Sequence, residues 1–519
     1  TRTLNRYYAY TPNEPYTVTF RARNNTAGNA EVKFRFSILD NYFDRTVRTG
    51  ETSSITLKGN SAGEISAEIN PKRYGMFVMN YELVNAKTGA VLDAYSFDYA
   101  VIENLMAIPG PKGFTSGGQM NFRANWFAQS WATQPTLEYL GATIDETYDF
   151  IANVGDRWYR CWDFGWGHNE VDEGNYEWQV LDRQIEELTK RGIKPVASLD
   201  TFIVDEKNSQ KIYAKVPKWA QERYGIADTK GSMKCRVCVP PVDIWARYFR
   251  ECVLRYKGKV RAYEILNEPN LWLSAEQYIG FLKAAYTIVR EIDPDARVIG
   301  FCATGDLGGK LLKFVKACMD LGANEYFDAM SFHPYDSPLD SSSYPAEKAI
   351  ADIKQLLADV GAEKKEIWNS EVFYFEQDLP EQFYGSLAVK GHQLARRLLI
   401  DQFHGVARTA CVDGAYNRAR IAPLALDNPR KPIPSQFFVI NNAWARFFEG
   451  GKPIKQITLT GKNKLYIYER ADGPIAAYWN YSYSAKSSAA LALRNSKDRI
   501  LLFDLMGNPL ENPAEKNNG

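Results

Sequence analysis

Two glutamates are set in surroundings that suit chemistry. Glu268 lies in the run Glu264-Ile-Leu-Asn-Glu-Pro-Asn270, and Glu371 ends the run Ile367-Trp-Asn-Ser-Glu371. Each follows a short apolar stretch, so each reads as the end of a strand. Paired carboxyl groups are the equipment for breaking an acetal. One must carry a proton for the leaving oxygen, and the other must be ionised to attack the anomeric carbon or to activate water. Their mutual repulsion pulls the two pKa values apart, so an acid and a base coexist near neutral pH. Taken singly, either glutamate reads better as a solvated loop or capping residue. Matching strand ends, with Asn267 beside one and Trp368 beside the other, turn the reading towards function. The two lie far apart in the chain, so only a fold can bring them together.

The elements that must do so are legible as an alternation. From Phe114 to Phe448, helical patterns and short apolar runs take turns. Strands are expected at Met120–Ala124, Asp156–Asp163, Gly192–Leu199, Val260–Leu266, Ala296–Phe301, Phe327–Phe332, Glu366–Asn369 and Val406–Val412. Helices are expected at Ile144–Val154, Val180–Arg191, Asp243–Tyr256, Ala275–Ile292, Lys310–Leu321, Ala346–Val360 and Gln382–Gln402. Strand–helix alternation means parallel strands with covering helices, and eight such units fit a closed (β/α)8 TIM barrel. In that fold the C-terminal ends of the strands form the active face. Glu268 would then end the fourth strand and Glu371 the seventh, obliquely across one mouth. No Gly-x-Gly-x-x-Gly and no Walker loop occurs, which weakens a nucleotide-binding reading.

Both flanks show period two. Tyr16–Phe20, Glu31–Phe36, Ser54–Leu57, Met76–Tyr81 and Tyr95–Tyr99 alternate between turn residues, as the strands of a β-sandwich do. Pro109-Gly-Pro-Lys-Gly113 is a stiff boundary. After Gly450, Gln456–Leu459, Lys464–Tyr468, Ile475–Trp479, Ala489–Arg494 and Ile500–Phe503 read as a small β-domain, with a turn at Asp504–Pro509 before one more strand. The expected organisation is a sandwich over 1–108, a catalytic barrel over 114–448 and a C-terminal β-domain over 449–519. The polar residues at the end suggest that the last strand is missing and that the natural chain is longer.

Composition narrows the class. The 519 residues carry 63 basic and 62 acidic side chains, too balanced for binding nucleic acid by counterion release. No stretch approaches the ~18 unbroken apolar residues of a membrane helix. Thr1 opens an ordinary polar segment, so an export signal was removed or never existed. Of seven cysteines, Cys235 and Cys238 form one Cys-x-x-Cys pair with no second pair to close a zinc site. A local disulfide or two reduced thiols is expected there. Cys161, Cys252, Cys302, Cys318 and Cys411 read as buried structural residues.

The motifs together resemble glycoside hydrolase clan A, and the wider barrel resembles family 39 and its relatives. The likeness rests on Asn267-Glu268-Pro269, on Asp163-Phe-Gly-Trp166 with Glu173-Gly-Asn-Tyr-Glu-Trp178 and Leu181-Asp182, on Ser331-Phe-His-Pro-Tyr335 and on Ser370-Glu371, in order along Phe114–Phe448. The resemblance implies a retaining glycosidase, with Glu268 as general acid/base and Glu371 as nucleophile, ~5–5.5 Å apart. It implies that Asn267 binds the sugar 2-hydroxyl, and that His333 and Tyr335 line the donor subsite, one of them near Glu371. It puts Arg160 beneath the site, holding Glu371 ionised. A buried ion pair between Arg160 and Glu264 is the rival reading, and both can hold. The eighth strand end, Asp413–Arg418, lacks the tryptophan of many clan members, a place Tyr416 can take.

Trp126, Trp131, Trp162, Trp166 and Trp272 fall at or just past strand ends. An aromatic face stacks on the C–H face of a pyranose, though packing under loops is the safer reading for any one of them. Trp166 and Trp272 are the first choices. His168 reads as a loop residue within reach of substrate or as a solvent-exposed one, and His392 and His404 read as structural. The long segment Thr201–Pro241 reads as a lid or a cleft wall. Arg123, Arg236, Arg418 and Arg420 could recognise a uronate or sulfate.

The sequence thus predicts a retaining glycoside hydrolase that cleaves β-glycosidic bonds in an oligo- or polysaccharide. It needs no metal or organic cofactor, binds no nucleic acid, spans no membrane and is secreted or periplasmic. A transglycosylase using the same residues, a non-catalytic glycan-binding barrel and an adhesion protein remain as rivals. The sugar, exo or endo action and oligomeric state stay open.

Overall fold

A computed structural model describes residues 2–3, 8–10, 12–42, 44–106, 115–120, 148–149, 152–206, 215–229, 233–305, 309–334, 346–372, 387–412, 414–415, 424–428, 431–434, 436–459, 463–480 and 501–510. Its centre is a closed barrel of eight parallel strands in sequential order. They are β1 (Thr115–Met120), β2 (Trp158–Cys161), β3 (Lys194–Leu199), β4 (Ala262–Ile265), β5 (Arg297–Thr304), β6 (Ala329–His333), β7 (Glu366–Val372) and β8 (Arg408–Val412). β8 returns to β1, with Thr115 opposite Arg408 and Gly117 opposite Ala410, which closes the ring.

The outer helices are α1 (Gln179–Lys190), α2 (Val242–Arg255), α3 (Ala275–Ile292), α4 (Lys310–Asp320), α5 (Ala346–Asp359), α6 (Leu387–Phe403) and α7 (Gln436–Phe448). Each of α1–α5 carries an apolar stripe at helical spacing. In α3, Tyr278, Phe281, Leu282, Ala285, Ile288 and Val289 are buried. The barrel strands are buried along nearly their whole length, β5 at seven of its eight positions, as strands covered on both faces must be. At the N-terminal end of the barrel, Trp158, Val196, Ala262, Ile299, Ala329 and Trp368 fill the interior. The Trp158 and Trp368 rings meet edge to face at 5.1 Å. This apolar layer leaves the polar chemistry to the other mouth.

The first strand differs from expectation. It is Thr115–Met120, not Met120–Ala124. The segment Thr-Ser-Gly-Gly-Gln-Met has no apolar run for periodicity to register, and positions 121–124 lie outside the described residues.

Before the barrel, a three-stranded and a six-stranded sheet pack face to face as the expected sandwich. Along Thr17–Arg23, Val18, Phe20 and Ala22 are buried in alternation. Phe20 stacks on Phe34 across the gap at 4.6 Å. After the barrel, Lys452–Thr458, Asn463–Arg470 and Gly473–Asn480 form an antiparallel meander, and Leu502–Phe503 pairs with a two-residue strand, Pro509–Leu510. The strand expected at Ala489–Arg494 lies outside the described residues. Met76, Ala100 and Ile102 of the sandwich, Ala395 of α6, Val439 and Ile440 of α7, and Met506 near the chain end share one apolar cluster. The turn before Pro509 docks on the sandwich: Asn508 accepts from the Tyr74 N–H at 2.8 Å and donates to its carbonyl at 2.9 Å.

Candidate active site

The chain leaves β4 in an unusual way. Leu266 and Glu268 both have left-handed backbone, with φ of 62° and 49°. On the neighbouring strand, β5 carries a bulge between Gly300 and Ala303, where Phe301 and Cys302 have φ of 75° and 42°. None of the four is glycine, so each left-handed turn costs about 1–2 kcal/mol. Such strain persists only where the surroundings fix it, and it concentrates at functional sites. Two sets of bonds hold it here. The Glu268 N–H donates to the Cys302 carbonyl at 3.1 Å. Asn270 accepts from the Thr304 N–H at 3.0 Å and donates to the Thr304 carbonyl at 2.8 Å. Pro269 opens a short 3-10 turn, Pro269–Leu271, with its φ already suited to it.

Arg160 of β2 is the hub beneath the site. It is 2% exposed, and its guanidinium serves three acceptors. Nε donates to Glu264, Nη1 to Glu371 Oε2 at 2.7 Å, and Nη2 to Asn267 Oδ1 at 2.7 Å. Arg160 thus contacts both carboxylates named for it, Glu264 and Glu371. Glu264 is fully buried and also accepts from Ser331 Oγ at 2.8 Å. Burial, the largest influence, pushes its carboxyl up, but the Arg160 charge together with His333 and the hydrogen bonds to the carboxylate outweighs that and holds it down at about 2. Burial works against the Arg160 charge, and Glu264 and Glu371 more than restore it. Arg160 also lies 4.7 Å over the ring of Trp162, which is half-buried.

His333, at the end of β6, is fully buried and sits between the two glutamates. Its Nδ1 is 3.1 Å from Glu268 Oε1 and 4.0 Å from Glu371 Oε2, and its Nε2 is 3.0 Å from Ser370 Oγ. One carboxylate oxygen of Glu268, one of Glu371 and a His333 ring nitrogen all lie within 4.8 Å of one another. Three such donors could also approach a cation. The glutamate side chains differ in access, Glu268 being 20% exposed and Glu371 11%. The β4 and β7 ends therefore bring one carboxylate each to the same mouth.

Asn267 is held from both sides, since its carbonyl accepts from Trp272 Nε1 at 3.0 Å. Trp272 and Trp166 are each 3% exposed. Trp272 packs on Phe202, and Trp166 packs on Trp219 at 5.6 Å and donates to Glu170 at 2.5 Å. Neither offers an open face to a sugar; both support the loops of the rim. Tyr335 and Tyr416 lie outside the described residues, as do Trp126, Trp131, Arg123, Arg418 and Arg420. Arg236 is paired with Asp205 on the surface. The segment after β3 folds into a sheet of Ile203–Glu206, Ala227–Asp228 and Cys235–Val237, with a helix at Lys218–Tyr224. It packs on the loop after β4, where the Met233 N–H donates to the Leu271 carbonyl and Thr229 Oγ1 to that of Trp272. Among the described residues Cys235, Cys238, Cys161, Cys252, Cys302 and Cys318 are buried and form no disulfide with one another. Two features escaped the sequence reading. Ser331 and Ser370, the inner partners of Glu264 and His333, had a signal in their strand-end motifs. The buried pair Lys215–Asp200 at the end of β3, with Lys215 5.6 Å over Trp162, had none.

A (β/α)8 barrel with a pair of glutamates at its C-terminal mouth is the class that fold and site define. No protein-family model matches the sequence, and a search of curated proteins gives no match. Among solved structures, a family 39 glycoside hydrolase from the gut symbiont Bacteroides cellulosilyticus WH2 superposes with a TM-score of 0.65 at 16% identity, over 95% of this chain and 93% of that one. The two share a fold, and at that level the family 39 resemblance holds. Xylanase 10B from Thermotoga petrophila RKU-1, solved with xylobiose, gives a TM-score of 0.39 at 14% identity, over 58% of this chain and 82% of that one. A β-glucuronidase from Bacteroides uniformis gives 0.38 at 12% identity, over 90% and 59%.

Proposed function

We propose that this chain is a retaining glycoside hydrolase acting on a β-linked oligo- or polysaccharide outside the cytoplasm. The observation that carries the reading is the approach of the Glu268 and Glu371 carboxylates, whose facing oxygens lie within 4.8 Å. Retaining enzymes keep their carboxyl groups ~5–5.5 Å apart, whereas inverting ones leave ~6.5–9.5 Å for a water. The fold shared with a family 39 glycoside hydrolase supports the same reading. Among the described residues no helix is long and apolar enough to cross a membrane.

The division of labour follows from the neighbours. Glu371 touches the Arg160 guanidinium and is thereby kept ionised, so it is the nucleophile. Its oxygen attacks the anomeric carbon as the bond to the leaving oxygen breaks, and Glu268 gives that oxygen its proton. Glu268 is the more exposed of the two, as a group that must exchange protons with water should be. Water then attacks the glycosyl ester, Glu268 takes its proton, and Glu371 leaves as a carboxylate. Asn267, with Oδ1 held by Arg160, has its Nδ2 to donate to the sugar 2-hydroxyl. Both catalytic groups belong to the protein, so the chemistry requires no cofactor.

Glu371→Gln should lower kcat on aryl β-glycosides by about 10⁴-fold or more. Glu268→Gln should lower hydrolysis by about 10²–10⁴-fold. With a dinitrophenyl leaving group, added azide should restore turnover of Glu268→Gln and yield a β-glycosyl azide. A first product of inverted configuration, or full activity in both variants, would sink the assignment. Product sizing on a polysaccharide panel reads the natural substrate, and separates transfer to water from transfer to sugar.

A further inference from the structure

Glu268 owes its position to a group on the far side of the barrel wall. Tyr278 is in the first turns of α3, fully buried, and its ring packs on Phe301 and Phe314. Its hydroxyl accepts from the Phe301 N–H at 2.6 Å and donates to the Ile265 carbonyl at 3.2 Å. Ile265 is the last residue of β4 before the left-handed pair Leu266 and Glu268. Phe301 is the first left-handed residue of the β5 bulge. One hydroxyl thus staples the two strained segments at the point where they begin. The next rung is Glu268 N–H to Cys302 carbonyl, and the last is the Asn270–Thr304 pair. The start of α3 is itself fixed. Ser274 and Gln277 close a reciprocal capping box there, with bonds of 3.3 and 3.1 Å.

We propose that Tyr278 is a positioning residue for Glu268. Its hydroxyl locks the β5 bulge to the end of β4, so that Glu268 stays left-handed with its carboxylate against His333 and facing Glu371. This rests on the reading of Glu268 as the proton donor. Without the staple the bulge relaxes, the Cys302 carbonyl moves, and Glu268 loses the backbone bond that aims it. The damage should be confined to proton transfer. Glu371 is held by Arg160 from β2 and shares no bond with Tyr278.

The test is Tyr278→Phe, which keeps the ring and removes only the oxygen. On aryl glycosides with poor leaving groups, kcat/KM should fall by about 10- to 100-fold, the scale of a small misplacement of a catalytic group. With a dinitrophenyl leaving group, which needs no proton, the fall should stay within about threefold by the same reasoning. A fall of equal size across leaving groups, or none, overturns the proposal. An activity-independent arm is the crystal structure of Tyr278→Phe. If Glu268 remains left-handed against His333 there, the staple has no positioning role, whatever the rates are. Asn270→Ala, which cuts the last rung, should show the same leaving-group dependence and serves if Tyr278→Phe does not fold. Wild-type protein that cleaves no glycoside at all would instead overturn the glycosidase reading, and Tyr278 with it as a positioner of chemistry.

Discussion

One guanidinium under the mouth serves three acceptors, and this sets how the site fails. Arg160 neutralises Glu264, which has no access to water, and it also holds Glu371 and Asn267. Removing one partner of a buried pair leaves an uncompensated charge, at a cost of about 3–5 kcal/mol. Arg160→Met should therefore lower the free energy of unfolding by that much, read by urea titration, and lower kcat as well. Arg160→Met/Glu264→Gln should regain most of the stability, since no stranded charge remains, but little of the activity, since Glu371 and Asn267 still lack their anchor. Equal stability of the single variant and the wild type would show that Glu264 is not held as a carboxylate. At this scale the sequence was informative. Glu268, Glu371, Asn267, Arg160 and His333 all meet at one mouth, because residue types at strand ends encode where a barrel presents them. Trp166 and Trp272 are different. A tryptophan past a strand end is as well suited to filling space beneath a loop, and both have almost no exposed surface.

At the scale of elements, legibility followed burial. Barrel strands covered on both faces read as unbroken apolar runs, and β5 to β8 lie close to where the pattern put them. β1 is polar and glycine-rich, and α7 is apolar nearly all round, so neither shows a clean period. α7 has reason to. It packs Val439 and Ile440 on the sandwich and Trp444 and Ala445 on the barrel, and all of 439–445 is buried, so that stretch shows no wet face to mark it as a helix. The β5 bulge was equally hidden. Positive φ at Phe301 and Cys302 has no glycine to announce it, and the bonds from Tyr278, Glu268 and Asn270 that hold it are tertiary. The capping box at Ser274 has a measurable weight. Ser274→Ala should cost about 1 kcal/mol and speed amide exchange in the first turn of α3. Unchanged exchange there would mean that packing alone fixes that helix start.

At the scale of the molecule, the two β-flanks are joined to the barrel and to each other. The Tyr42 hydroxyl bonds His392 of α6, with the two rings meeting edge to face at 5.8 Å. Burial, and then the Arg396 charge, lower the His392 pKa from 6.5 to about 4. Between those values the unfolded chain binds a proton that the folded one does not, so stability rises with pH across that window and falls as pH drops through it. Thermal unfolding followed from pH 7 to pH 4 should show a steeper loss in the wild type than in His392→Gln. Parallel curves would mean that the histidine is reached by water. Beside it, the Asn508 side-chain amide grips the Tyr74 backbone through a pair of bonds, while Arg73 reaches Asp504 at 3.2 Å. The early and late parts of the polypeptide are thereby clasped outside the barrel. Tension drawn between the sandwich and that late turn would load the clasp directly, and the bond from Arg446 of α7 to the Gly507 carbonyl at 2.8 Å would pass part of it to the barrel.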